Sequence, residues 1–142
     1  MAAPTSATPE TGGRGFTLVE CLIVLALVAV LAGLAVPGFQ EQSLRMARLD
    51  AVQALNRLQL EQEKHRSLHG LYADELSALQ GVGVGSPQGR YVLALQLRGA
   101  DGYGASATAQ GAQTRDRDCP ALTLEVQQGF ARRGPSVACW NR

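Results

Sequence analysis

The chain opens with a polar stretch and then becomes apolar within a few residues. Residues 1–15 consist mainly of Ala, Thr, Gly and Pro and contain no apolar core. A run of Leu, Val, Ile and Ala then extends from Leu18 to Val36. At about 15 to 20 residues, this run reaches the lower length limit of a membrane-spanning helix. The pattern therefore predicts a lipid-facing helix that is apolar on all sides.

Beyond Pro37 the apolar positions recur every three or four residues, as in an amphipathic helix with one apolar face. The members of this face are Leu44, Ala47, Ala51, Val52, Ala54, Leu55 and Leu58. The cationic side chains on the other faces are Arg45, Arg48, Arg57 and Lys64. Because Gly70 is a plausible stop, we predict one helix from Phe16 to about His69. Pro37 is expected to kink or loosen this helix, since proline removes a backbone donor.

The C-terminal half alternates between apolar and polar positions, which is typical of half-buried strands. The predicted strands are residues 90–98, 103–110, 121–126 and 130–133. Asp101 and Gly102 form a hairpin signal between the first two strands. Residues 71–79 favour a short helix or turn, and residues 81–89 a loop. An antiparallel meander with one face on the amphipathic helix is the expected fold, because so small a sheet cannot bury enough apolar area alone.

Charge and composition argue against several classes of function. The 142 residues include 13 basic and 12 acidic side chains, so the net charge gives no general electrostatic case for nucleic acid or an acidic substrate. The glycines of residues 81–89 neither follow a strand nor open a helix, which excludes a dinucleotide-binding fingerprint. His65 and His69 share a helix face, but solvated side chains explain them better than a metal site. We predict no enzymatic activity, no metal and no cofactor.

The junction between the polar start and the apolar run carries a specific motif. Arg14, Gly15 and Phe16 are followed by Thr-Leu-Val and then by Glu20, a carboxylate at the entrance of the apolar run. A secretory signal peptide has its apolar stretch before the cleavage site, whereas here the stretch would remain on the mature chain. A lipid anchor on Cys21 is disfavoured, because Glu20 precedes it where a small residue is required.

In this motif, and in the apolar run that ends at Pro37, the chain resembles the type IV pilins. The resemblance implies cleavage between Gly15 and Phe16 by a prepilin peptidase, which also N-methylates Phe16. It implies that the amine of Phe16 and the carboxylate of Glu20 guide the assembly of subunits. It further implies that Pro37 and Gly38 form a break in the helix.

The resemblance also implies an organisation for the whole chain. Residues 1–15 would be a cleaved leader, residues 16–38 the membrane and fibre-core half of the helix, and residues 39–142 a periplasmic or extracellular globular domain. The expected fold class is α+β and pilin-like, with a long N-terminal helix packed on a four-stranded antiparallel β-meander. The expected partners are other pilin subunits, the prepilin peptidase and the inner-membrane pilus assembly platform. The expected location is the bacterial inner membrane, as a single-pass protein, and then the extracellular pilus fibre.

The cysteines divide into a C-terminal pair and a single residue in the apolar run. Small exported domains often contain a disulfide, and a bridge between Cys119 and Cys139 would close a loop of about 20 residues, worth roughly 3 kcal/mol. Two unrelated free thiols are the alternative. In pilins, paired C-terminal cysteines bound a surface loop region. Cys21 is expected to be a small buried side chain in helix packing.

Three functions remain open. The leading one is a structural subunit, major or minor, of a type IV pilus that serves adhesion, twitching motility or DNA uptake. The second is a pseudopilin of a type II secretion system, although the cysteine pair favours the pilus. The third is a competence pilin that acts as a DNA receptor. Its candidate contacts are Arg115, Arg117, Arg132 and Arg133. Since Asp116 and Asp118 interleave with two of these arginines, a solvated charged face is favoured over a DNA contact.

Overall fold

A computed structural model describes residues 16–140 of the chain, except for the side chains of residues 35–37. The helix α1 comprises Leu18–His69, which confirms the predicted long helix. The helix α1 continues through Pro37 and Gly38. The kink or loosening expected at this position stays a prediction. The chain separates into two compact units, of which the first ends at Pro37 and the second comprises Gly38–Arg142.

The first unit is the apolar part of α1. Its helix begins where the hydroxyl oxygen of Thr17 accepts a hydrogen bond from the backbone N–H of Glu20 at 3.3 Å, which satisfies one of the free donors of the first turn. The described side chains from Phe16 to Leu34 are exposed in the single chain. By length and composition, α1 contains a stretch capable of crossing a membrane.

The second unit contains the sheet, whose strands are β1 (Tyr91–Leu97), β2 (Gly102–Ala109), β3 (Ala121–Gln127) and β4 (Phe130–Gly134). Each strand pairs antiparallel with the next, so the order β1-β2-β3-β4 is the predicted meander. The shortest connection, between β3 and β4, needs a left-handed backbone at Gln128 and Gly129, and glycine adopts that conformation without steric cost. Short 3₁₀ helices lie at Leu76–Ala78, Gly111–Arg115 and Val137–Trp140.

One hydrophobic cluster joins α1 to the sheet, because alternate strand residues point to the same face. The largest buried strand residues are Tyr91, Leu93, Tyr103, Leu122, Leu124 and Val126. The buried residues of the predicted helix face are Ala47, Ala51, Ala54, Leu55 and Leu58. Leu44 and Val52, at the margin of that face, are only half-buried. The predicted helix-on-sheet packing is thus confirmed.

The glycine-rich loop before β1 covers the free edge of that strand at its first residues. Gly85 forms an antiparallel bridge with Val92. Asp50 of α1, which is 2% exposed, accepts hydrogen bonds from the hydroxyl of Ser86 and from the backbone N–H of Gln88, the latter at 3.0 Å. A carboxylate on the helix therefore holds the loop against the edge of the sheet.

A second polar group of α1 fixes the chain just beyond the helix. Gln62 is fully buried, and its amide pairs with the backbone of Ala73 on both sides. The side-chain NH₂ donates to the Ala73 carbonyl at 2.9 Å, and the side-chain oxygen accepts from the Ala73 N–H at 2.8 Å. The amide thereby supplies the hydrogen bonds that a neighbouring strand would otherwise provide.

Candidate functional site at the disulfide-bounded surface

The processing motif is only partly within the described residues. Gly15 lies outside them, and Phe16, two residues before the start of α1, is 78% exposed. Glu20 is exposed in the first turn of the helix, where the positive end of the helix dipole favours an anion. Cleavage, N-methylation and the assembly role of Glu20 stay predictions.

Cys119 and Cys139 form the predicted disulfide, with Cα atoms 5.6 Å apart and both residues 2% exposed. The bridge ties the segment before β3 to the 3₁₀ helix that follows β4. Cys21 is a free, exposed cysteine. The burial expected for Cys21 is therefore not seen in the single chain.

Beside the disulfide lies a buried ion pair between Arg48 of α1 and Asp116. Arg48 Nε donates to Asp116 Oδ2 at 2.7 Å, and Nη2 donates to Oδ1 at 2.8 Å. Arg48 is 5% exposed and Asp116 is 4% exposed. The hydrogen bond that Arg48 donates to Asp116 raises the pKa of Arg48 above its ordinary value. A bidentate pair of this kind satisfies both planar groups while water is excluded.

Two further hydrogen bonds extend the ion pair into a network. Arg48 Nη1 donates to the backbone carbonyl of Ala138 at 3.3 Å. The side-chain amide of Gln113 donates to the carbonyl of Leu44 at 3.1 Å and to Asp116 Oδ2 at 3.3 Å. One helix side chain thus contacts the segments on both sides of the disulfide.

The position of Arg48 corrects the sequence interpretation, which placed it on a helix face away from the core. The helical periodicity already puts Arg48 next to Ala47, at the border of the apolar stripe. Its partner lies 68 residues away in the sequence, so no local pattern identified the pair.

The four candidate DNA-contacting arginines do not form one strip. Arg115 and Arg117 are exposed and lie close in sequence to Cys119. Arg132 and Arg133 are consecutive in β4, so they point to opposite faces of the sheet. The register places Arg132 opposite Glu125, which is exposed on the outer face of the sheet.

Arg133 instead points toward the disulfide side. Its guanidinium lies over the ring of Trp140, 5.2 Å from the centroid, and Trp140 directly follows Cys139. Such a contact stabilises the orientation of both side chains. The disulfide therefore has Arg115 and Arg117 on one of its arms and Arg133 beside the other.

The buried ion pair changes the charge of the loop that precedes Cys119. In the sequence, Arg115, Asp116, Arg117 and Asp118 sum to zero. In the structure, Asp116 is turned inward and paired, whereas the other three residues are exposed. The exposed part of the loop is therefore net positive. Of the two aspartates whose position among the arginines disfavoured a DNA contact, only Asp118 remains at the surface.

His65 and His69 lie at the end of α1, where their rings stack with centroids 4.2 Å apart. His65 Nδ1 is 3.0 Å from the carbonyl of Leu71, and His69 Nδ1 is 3.1 Å from the carbonyl of His65. Within residues 16–140, no group of three or more His, Cys, Asp or Glu side chains could hold a metal ion. His65 thus contacts the chain just beyond α1, and His69 contacts the last full turn of the helix.

Comparison with protein families gives two adjoining matches. Residues 12–36 match the prokaryotic N-terminal methylation motif. Residues 37–123, more than half of the chain, match the family described as type IV minor pilin ComP, DNA uptake sequence receptor. This second match includes both Arg48 and the loop that contains Arg115, Asp116 and Arg117.

Comparison with curated proteins finds major pilins of Neisseria gonorrhoeae. Type IV major pilin protein PilE1 is 30% identical over 133 residues, which cover 91% of this chain and 63% of that protein. Type IV major pilin protein PilE is 28% identical over 79 residues, which cover 56% of this chain and 47% of that protein. The chain thus spans between about half and two thirds of the length of these relatives.

Proposed function

Because the chain belongs to the type IV pilins, and among them to the ComP minor-pilin family, we propose that it is a minor pilus subunit that binds DNA at the disulfide-bounded surface. The observation that carries the DNA contact is the inward pairing of Asp116 with Arg48. That pairing leaves an exposed, net positive loop within the family's matched range. The family supports the role of a pilus subunit. The proposed DNA contact requires an experimental test.

The apolar part of α1 suits storage in a membrane followed by assembly. Contiguous exposed apolar surface of this extent marks a membrane or protein contact, and the described side chains from Phe16 to Leu34 are all exposed in the single chain. We propose that the inner membrane holds this segment until the prepilin peptidase cuts after Gly15 and the assembly platform extracts the subunit. In the fibre, the new amine of Phe16 would pair with Glu20 of a neighbouring subunit. In a water-excluded environment such a pair is stronger than at a surface, provided that both charges are satisfied.

The proposed DNA contact is electrostatic. Arg115 and Arg117 are exposed residues, and arginine binds phosphate oxygens through two parallel N–H donors. The logarithm of the affinity for duplex DNA falls linearly with the logarithm of the salt concentration. Each phosphate that a cation neutralises adds about 0.9 to the magnitude of this slope. Two contacts therefore predict weak binding to the DNA backbone with a salt slope of about 2 in magnitude, without sequence discrimination from these two residues alone.

The test is a salt titration of DNA binding. The detergent-solubilised chain is titrated with a fluorescein-labelled mixed-sequence duplex between about 50 and 200 mM salt. We expect the double variant Arg115→Gln/Arg117→Gln to lose about 2 from the magnitude of the salt slope and at least about tenfold in affinity. The matched control Arg45→Gln/Lys64→Gln removes the same charge from α1, where each cation already pairs with a glutamate, and should bind like the wild type. Equal affinity and slope in the loop variant and the wild type would exclude the contact.

A gene deletion separates this role from the two structural alternatives. Loss of DNA uptake with normal numbers of surface fibres is expected for a minor DNA-binding subunit. Loss of all fibres would indicate a major pilin, and loss of protein secretion with intact fibres a secretion pseudopilin. The names of the relatives found, all pilus major pilins, support a pilus over a secretion apparatus.

A further inference from the structure

The guanidinium of Arg48 lies where α1 meets the two arms of the disulfide. It contacts Asp116, three residues before Cys119, and the carbonyl of Ala138, the residue before Cys139. Arg48 is nearly inaccessible to solvent, so it cannot itself touch DNA. Any influence on a ligand at this surface must pass through the residues that it holds.

Arg48 binds the carboxylate of Asp116, an acidic residue adjacent to both arginines of the proposed DNA contact. Asp116 lies directly between Arg115 and Arg117 in the sequence. With its carboxylate on Arg48, it neither repels a phosphate nor pairs with its two neighbours. The side-chain amide of Gln113 donates to the same carboxylate and to the carbonyl of Leu44. The orientation of Asp116 is thus set by two side chains and by the helix.

Resting on the proposed DNA contact, we infer that Arg48 is a positioning residue for DNA binding. It keeps the Asp116 carboxylate buried, away from the DNA-facing surface, and it holds the loop that presents Arg115 and Arg117. Without Arg48, the Asp116 carboxylate has no buried cation to neutralise it. An unpaired charge is unstable in the interior, so the loop would turn Asp116 out to water. There it would neutralise one of the two adjacent arginines.

The first experiment removes the cation. For Arg48→Met in the detergent-solubilised full chain, we expect about a tenfold loss of affinity for the mixed-sequence duplex and a fall of about 1 in the magnitude of the salt slope. The matched control is Lys64→Met, which removes one charge from the same helix about 24 Å away at 1.5 Å per residue. This control should keep the wild-type affinity and slope. Wild-type behaviour of a folded Arg48→Met chain would overturn the inference.

The second experiment restores the surface charge without restoring the ion pair. Replacing a buried ion pair by apolar residues of similar volume is often neutral for stability, so Arg48→Met/Asp116→Leu should fold even where the single variant does not. In this double variant no carboxylate can emerge between the arginines. We expect it to recover the wild-type salt slope and to bind within about twofold of the wild-type affinity. If it binds as weakly as Arg48→Met, charge withdrawal is not the role of Arg48.

The two proposals fail in different ways. If the wild type shows no salt-dependent binding, both the DNA function and the inference are wrong. If Arg115→Gln/Arg117→Gln loses binding but Arg48→Met does not, the DNA function stands and only the positioning role is wrong. Circular dichroism and the absence of free Cys119 and Cys139 thiols confirm that each variant is folded when it is measured.

Discussion

Replacing Gln62 tests how much a single buried amide contributes to the second unit. In Gln62→Ala, the N–H and the carbonyl of Ala73 lose their partners, and Ala73 is 2% exposed. Each buried group left without a hydrogen bond costs about 1 to 3 kcal/mol. We therefore expect the free energy of unfolding to fall by about 3 kcal/mol.

The measurement is urea unfolding of Gly38–Arg142, the compact unit that contains the hydrophobic cluster. With an m-value of about 2 kcal/mol/M, a loss of about 3 kcal/mol lowers the midpoint by about 1.5 M. The control Gln53→Ala makes the same change at an exposed position of α1 and should alter the free energy of unfolding by less than about 0.5 kcal/mol.

Gln62→Leu separates hydrogen bonding from packing. Leucine fills most of the volume but cannot pair with the backbone of Ala73, so this variant should still be destabilised by about 2 kcal/mol. If Gln62→Leu matched the wild type, the two hydrogen bonds would contribute little and the reasoning from unsatisfied groups would be refuted.

Three further predictions concern the disulfide, a buried hydroxyl and the assembly motif. Replacing Cys119 and Cys139 by serine should lower the free energy of unfolding by about 3 kcal/mol in the same urea assay, because the bridge spans a sequence separation of 20. The hydroxyl of Tyr103 has no hydrogen-bond partner among residues 16–140, so Tyr103→Phe should stabilise the unit by about 1 kcal/mol at neutral pH. Burial also raises the pKa of Tyr103, so the wild type should lose stability as the pH rises above about 10, where the unfolded tyrosine ionises, and the variant should lose less. Glu20→Gln should reduce surface fibres at least about tenfold by electron microscopy, on the family's pairing role, while Glu41→Gln should not.

Each of these predictions has an outcome that contradicts it. An unchanged urea midpoint after removal or reduction of the disulfide would mean that the bridge does not restrain the unfolded chain. Destabilisation by Tyr103→Phe would show that the hydroxyl has a partner in solution. Normal fibre numbers in Glu20→Gln would remove the carboxylate from the assembly mechanism.

The helix and the strands could be predicted because their signals are local. The change from an unbroken apolar run to a spacing of three and four residues is visible within a few turns of α1. The alternation in β1 and β3 is equally short-range. The meander followed from hairpin signals such as Asp101-Gly102, since strands joined by short turns pair with their neighbours.

The charged and polar contacts of the candidate site could not be predicted in this way. Asp116 and Arg48 meet only after the sheet has docked on the helix, and the same holds for Ser86 and Asp50, which are 36 residues apart. A charged residue in a helix is ordinarily placed toward solvent, and only a partner of opposite charge justifies its burial. The placement of the β4 arginines, in contrast, was available from the sequence, because consecutive strand residues cannot share a face.

The two edge strands of the sheet determine whether the sheets of neighbouring copies can pair with one another. An open strand edge invites pairing with another chain, and copies of a pilin are crowded together in a fibre. The loop held by Asp50 covers the edge of β1 at its first residues, where Gly85 bridges Val92. The edge at β4 carries two adjacent cations and is followed by Pro135, which has no N–H to donate. Strand exchange between copies is thereby discouraged at β4 and at the covered start of β1, so copies of the chain can lie side by side while each keeps its own sheet.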